Sequence, residues 1–72
     1  MSGLVKRSFS LAGHRTSVAL EPEFWDALAV MAAAHGQTLS AFVASTDATR
    51  DPDRPLASAL RVLALLGAKI IA

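Results

Sequence analysis

The sequence predicts a mainly α fold with one short β-strand, in a chain small enough to need oligomerisation for its core. Three observations lead there. His14–Leu20 alternates with period 2, Thr16, Val18 and Leu20 on one parity and Arg15, Ser17 and Ala19 on the other, the pattern of a half-buried strand. Three later segments carry apolar residues at helical spacing, separated by Gly and Pro breakers. Finally, the chain has 72 residues, 53% of them hydrophobic, and no cysteine. A chain of that size buries only roughly 60% of its unfolded surface, and no disulfide can staple it. A lone strand also leaves its backbone unpaired. Small size, no staple and surplus apolar residues point to oligomerisation as the source of a core, and something has to pair with the strand.

Residues 1–13 read as a basic N-terminal arm or as part of a hairpin. Arg7–Leu11 alternates as well, with Phe9 and Leu11 on one parity. Ala12-Gly13-His14 fits a turn that closes residues 8–20 into a hairpin, and equally a kink that joins an arm to the strand. If the segment is an arm, Phe9 and Leu11 pack on the neighbouring chain.

The first helix is expected from Pro22 to His35. Pro is tolerated in the first turn, and Glu21 and Glu23 suit the positive end of the helix dipole. Phe24, Ala27, Leu28 and Met31 form its stripe, with Trp25 beside it in a wide apolar face. Gly36 is placed to end it, with His35 as a dipole partner for the last carbonyls. Thr38 then caps the second helix, which carries Leu39, Phe42, Val43 and Thr46 and fades near Arg50. Ala41 stands where a capping box needs Glu or Gln, so the amides at this helix start are free to meet an anion. Residues 14–50 form the main domain and Asp51–Pro55 a loop. Asp53 is the expected cap of the third helix, with Pro55 in its first turn. That helix, Leu56 to Leu66, carries Leu56, Leu60, Leu63 and Leu66, widened by Val62 and Leu65. So apolar a helix is expected to be buried on nearly all sides, with Arg61 reaching a carboxylate or carbonyls across a dimer. Gly67 is its expected end, and Ile70 and Ile71 its apolar tail.

Charge is distributed unevenly. Residues 1–20 hold Lys6, Arg7 and Arg15 and no acid; the remainder holds four bases against six acids. The positive charge thus sits with the strand, which suits an anionic partner. Catalysis has little material. There is no Cys, the two His are His14 and His35, and no HExxH, Walker loop or nucleophile elbow is present. No metal or cofactor is expected. No apolar run reaches the ~18–20 residues of a membrane span: Leu56–Ala72 is interrupted by Ser58, Arg61 and Lys69. Lys6 and Arg7 are not followed by the apolar core of a signal peptide. A cytoplasmic protein with no membrane partner is the expectation.

The order of an alternating strand, a Pro-marked helix, Gly36, a Thr38 cap and a second apolar helix resembles the ribbon-helix-helix (MetJ/Arc-like) DNA-binding family over residues 14–50. Lys6-Arg7-Ser8, Gly13-His14-Arg15-Thr16-Ser17, Leu20-Glu21-Pro22-Glu23-Phe24-Trp25 and Ser58-Ala59-Leu60-Arg61-Val62 also look like a subfamily of short bacterial members of mostly uncharacterised role. The resemblance implies an intertwined homodimer in which each chain gives one strand to an intermolecular antiparallel β-ribbon, and a transcriptional regulator, or an antitoxin, that inserts that ribbon into the major groove of double-stranded DNA. It places Arg15, Ser17 and Ala19 against the bases. Thr38, Leu39 and Ser40 fall where such proteins hold a phosphate through backbone amides, with Lys6, Arg7 and His14 as further phosphate contacts. Thr16, Val18, Leu20, Phe24, Leu28, Met31, Leu39, Phe42 and Val43 form the implied dimer core. Two features depart from the pattern: Ala19 offers only a methyl, and the helix in 56–72 exceeds a minimal member. That helix supports the rival reading, an assembly module in which it docks a protein partner or builds a tetramer.

Overall fold

A computed structural model describes the backbone of residues 3–71 and the side chains of residues 3–67. The element order is β1 (Val5–Leu11), β2 (His14–Leu20), α1 (Pro22–Ala34), α2 (Leu39–Thr49) and α3 (Leu56–Ile71). The chain therefore has two strands, not one. β2 pairs antiparallel with β1 of the same chain, from Val5 opposite Leu20 to Leu11 opposite His14. The link is Ala12-Gly13, with φ of 51° and 82°. Positive φ at both central residues is the mark of a type I′ turn, whose twist matches that of the flanking strands. The turn, rather than the kink, is what forms. Pairing starts at Val5, three residues before the hairpin expected from Ser8.

Alternation then sorts the hairpin into two faces. Phe9, Leu11, Val18 and Leu20 are buried against the helices, and Thr16 is half-buried beside them. Phe9 and Leu11 thus pack in their own chain. They join Trp25, Leu28, Ala32, Phe42, Val43, Leu60 and Ala64 in one core, flanked by half-buried Phe24, Met31 and Leu39. All nine residues expected to line a dimer core are covered, wholly or partly, within a single chain.

Each helix has a visible start and stop. Pro22 opens α1, and Glu21 makes no side-chain cap. The buried centre of α1 is Trp25, Leu28 and Ala32, so its face is rotated toward Trp25 from the expected stripe. The helix ends in a Schellman motif: Gln37 N–H reaches the Ala32 carbonyl at 2.9 Å and Gly36 N–H that of Ala33 at 3.0 Å. Gly36 supplies the left-handed residue, φ 67°. The His35 ring, instead of only answering the dipole, stands edge-on to Phe42 at 5.7 Å between centroids. The break turns α2 94° from α1. Thr38 caps α2 as expected, its Oγ1 accepting from Ala41 N–H at 3.1 Å.

Arg50 organises the loop that follows. Its Nε pairs with Asp47 at 3.0 Å, and Nη1 donates to the Arg54 carbonyl at 2.8 Å. Asp53 does not cap α3. Its N–H instead donates to Asp51 Oδ1 at 2.9 Å, a turn closed by Arg54 N–H on the Asp51 carbonyl. Pro55 stands just outside α3, where its carbonyl accepts the Ala59 N–H. Nor does Gly67 end α3, which runs on to Ile71. Gly67 packs against α1: a Cβ there would lie 2.5 Å from Met31 Sδ. Finally, α3 is buried on one face, by Leu60 and Ala64. Val62, Leu65 and Leu66 are 40–59% exposed, contrary to burial on nearly all sides. The side chains of Lys69, Ile70 and Ile71 lie outside the described residues.

Two side chains tie hairpin and helices together. Trp25 donates its indole N–H to the Val5 carbonyl at 2.8 Å and packs on Phe9 at 5.8 Å. Arg61 crosses from α3 to Glu21 at 3.0 Å, within the chain rather than across a dimer, and its guanidinium lies 5.8 Å from the Phe24 ring. Among the described residues, no single helix is long and apolar enough to cross a membrane.

Candidate nucleic-acid interface

The face of the hairpin turned away from the helices carries the polar residues. Cross-strand partners share a face, so the register sets Lys6 beside Ala19, Ser8 beside Ser17 and Ser10 beside Arg15. Arg15 and Ser17 are exposed and Ala19 is half-exposed; Lys6, Ser8 and Ser10 are exposed. The side chains engage each other. Ser8 Oγ and Ser17 Oγ are 3.2 Å apart, and Arg15 Nη1 donates to Ser10 Oγ at 3.2 Å. The result is a two-stranded face with a cation near each end, hydroxyls between, and no carboxylate.

Lys6 and Arg15 therefore share the outer face. Arg7 does not. It has the parity of Phe9, and its guanidinium stands 5.4 Å from the Trp25 ring on the helix side. His14 is exposed beside the turn, opposite Leu11. At the start of α2, Thr38 takes the Ala41 and Phe42 amides through its side chain and carbonyl. The N–H groups of Leu39 and Ser40 are left at the open helix end. Ser40 is exposed, whereas the Leu39 side chain packs half-buried on the core.

Charge is shifted at one point near the interface. The Glu21 carboxylate is held below its usual range, first by its own backbone amide and then by the Arg61 guanidinium. It stands at the junction of β2 and α1, so its ion pair fixes how the hairpin leaves the helices. Among the described residues, no three His, Cys, Asp or Glu side chains come together to hold a metal ion.

Sequence reading missed Ser8 and Ser10 as members of this face. The signal was present, since both have the opposite parity to Phe9 and Leu11. It gained meaning only once β1 was paired with β2.

A family model described as a ribbon-helix-helix domain matches residues 4–67. The chain belongs to the ribbon-helix-helix family. The match begins before β1 and ends inside α3, so both the hairpin and most of the third helix lie within the family region rather than outside it. Ribbon-helix-helix domains are usually DNA-binding transcription regulators without enzymatic activity, and they generally form dimers. No curated protein and no solved structure matches the chain.

Proposed function

We propose that this ribbon-helix-helix protein is a homodimeric, cytoplasmic transcriptional regulator that sets its β-ribbon in the major groove of duplex DNA. The observation that carries the reading is the outer face of the hairpin: Lys6 and Arg15, three serines and no acid, uncovered by any helix. Arg15 pairs with guanine O6 and N7, a bidentate contact worth about 1–3 kcal/mol of discrimination. Ser17 hydrogen-bonds a base edge, and Ala19 offers its methyl to thymine. Lys6, His14 and the open amides of Leu39 and Ser40 beside Thr38 meet phosphates. Arg7, stacked on Trp25, is assigned mainly to the fold.

Within one chain five of the nine expected dimer-core residues are buried and Thr16, Phe24, Met31 and Leu39 half-buried, so exposed apolar residues are available to extend the contact with a second copy. Val62, Leu65 and Leu66 on α3 are the apolar candidates. The same stripe favours a second reading, in which the protein is an antitoxin or assembly module and α3 binds a protein partner.

Selection of genomic fragments by the purified protein, followed by fluorescence anisotropy over a salt series, tests the main reading. Specific binding that weakens steeply with salt is expected. Arg15→Ala should raise Kd on the selected duplex by roughly 5- to 150-fold. Salt-insensitive or absent binding would reject DNA as the partner and leave the α3 reading.

A further inference from the structure

We propose that Ser10, on β1, is a positioning residue for DNA reading: its hydroxyl holds the Arg15 guanidinium in the pose that meets guanine. This rests on the DNA-binding reading above and names a residue on which specificity depends without its touching a base.

Strand pairing brings the two side chains together. Counted from the turn-closing pair Leu11–His14, residues 10 and 15 form a non-hydrogen-bonded pair of the antiparallel ladder, the kind whose side chains stand closer. Arg15 Nη1 donates to Ser10 Oγ at 3.2 Å. The same count applies to Ser8 and Ser17, whose hydroxyls are 3.2 Å apart, so Ser17 is engaged by its own neighbour. In such pairs the backbone N–H and C=O groups of Arg15, Ser17 and Ala19 point away from β1. Among the described residues, β1 occupies one edge of β2 and no strand lies on the other. A strand of a second copy adds at that open edge to make the ribbon. β1 then stays in place, and Ser10 with it, as the outer neighbour of the reading strand in the dimer.

The chemistry of the pair suits aiming rather than anchoring. A carboxylate would hold the guanidinium more firmly but would cancel the charge that DNA attracts. Ser10 is neutral, and among the described residues no carboxylate forms an ion pair with Arg15. The bond occupies one of five guanidinium N–H donors, leaving Nε and Nη2 to reach guanine O6 and N7 together. An exposed arginine otherwise samples many rotamers, and ordering it on binding consumes part of what the contact contributes. Ser10 stands one pair from the Ala12-Gly13 turn, a rigid place from which to hold the guanidinium before DNA arrives.

The test uses the full chain, its selected duplex and an unrelated duplex of the same length. Ser10→Ala should weaken binding to the selected duplex roughly two- to tenfold and leave binding to the unrelated duplex unchanged. Ser10→Thr keeps the hydroxyl and should bind as wild type. The deciding measurement is a double-mutant cycle: in an Arg15→Ala background, Ser10→Ala should have no further effect. An equal factor in both backgrounds would overturn the proposal, since Ser10 would then act independently of Arg15. So would an equal loss on both duplexes, or wild-type affinity in Ser10→Ala while Arg15→Ala still weakens binding; those patterns leave the DNA-binding reading intact. Failure of the wild-type chain to bind any selected duplex would overturn both.

Discussion

Ala12 is the residue on which the hairpin can be tested most directly. Its φ is 51° and that of Gly13 is 82°. An L-residue with a Cβ pays about 1–2 kcal/mol to sit in the left-handed region, whereas Asn enters it readily. Ala12→Asn should therefore stabilise the fold by about 0.5–1 kcal/mol. For a domain of this length that is a rise in Tm of roughly 2–8 °C. Two companions sharpen the reasoning. Nothing lies within 4 Å of a Cβ added at Gly13, so Gly13→Ala probes backbone strain without steric clash and should cost about 1 kcal/mol. Ala12→Val puts a β-branched side chain at positive φ and should cost more than Gly13→Ala. Thermal denaturation followed by circular dichroism, at several protein concentrations, reads all three. If Ala12→Asn lowers Tm, or Ala12→Val is tolerated, residues 12 and 13 are not in this turn and β1 is not the partner of β2.

Three further outcomes follow from other contacts. Thr38→Ala removes the side-chain acceptor for the Ala41 amide and should cost about 1 kcal/mol; a urea midpoint equal to wild type would contradict the cap. Trp25→Phe deletes the donor to the Val5 carbonyl and shrinks the ring under Arg7. It should cost about 2 kcal/mol, and hydrogen exchange should rise first at Val5–Arg7; protection of β1 equal to wild type would refute the latch. The Glu21 carboxyl is held below its usual 4.5 in the folded chain, so the unfolded chain binds its proton at higher pH than the folded one. The contribution is complete above about pH 4.5 and falls away as pH drops through the lowered folded value. Glu21→Gln should flatten the stability profile below about pH 4.5. A profile as steep as wild type would place that acid dependence on other carboxylates.

Much of this arrangement was written in local pattern. Period 2 in His14–Leu20 placed Val18 and Leu20 inward and Arg15 and Ser17 outward. Pro22, Gly36 and Thr38 marked the helix ends because each does its work within a few residues of itself. The turn was harder to read. Ala is not a residue that announces positive φ, so Ala12-Gly13 looked as much like a kink as a type I′ link. The position of Arg7 follows from parity rather than charge: it shares a face with Phe9 and Leu11, which takes it to Trp25. Gly67 and Arg61 depended on distance in sequence. Gly67 follows the helical signal of a stop, yet what it meets is Met31, on another helix. Arg61 finds Glu21 forty positions earlier in its own chain, a pairing no periodicity encodes.

The placement of Trp25 has a practical consequence. The chain contains one tryptophan and no tyrosine, so its ultraviolet emission arises essentially from a single indole. That indole is buried, hydrogen-bonded to the first residue of β1, and faced by the Arg7 cation. Release of β1 would bring water to the ring and remove the nearby charge together, shifting the emission to longer wavelength. The docked hairpin is thus reported by an optical signal already present in the native chain, and its opening rate can be followed in real time without attaching a dye.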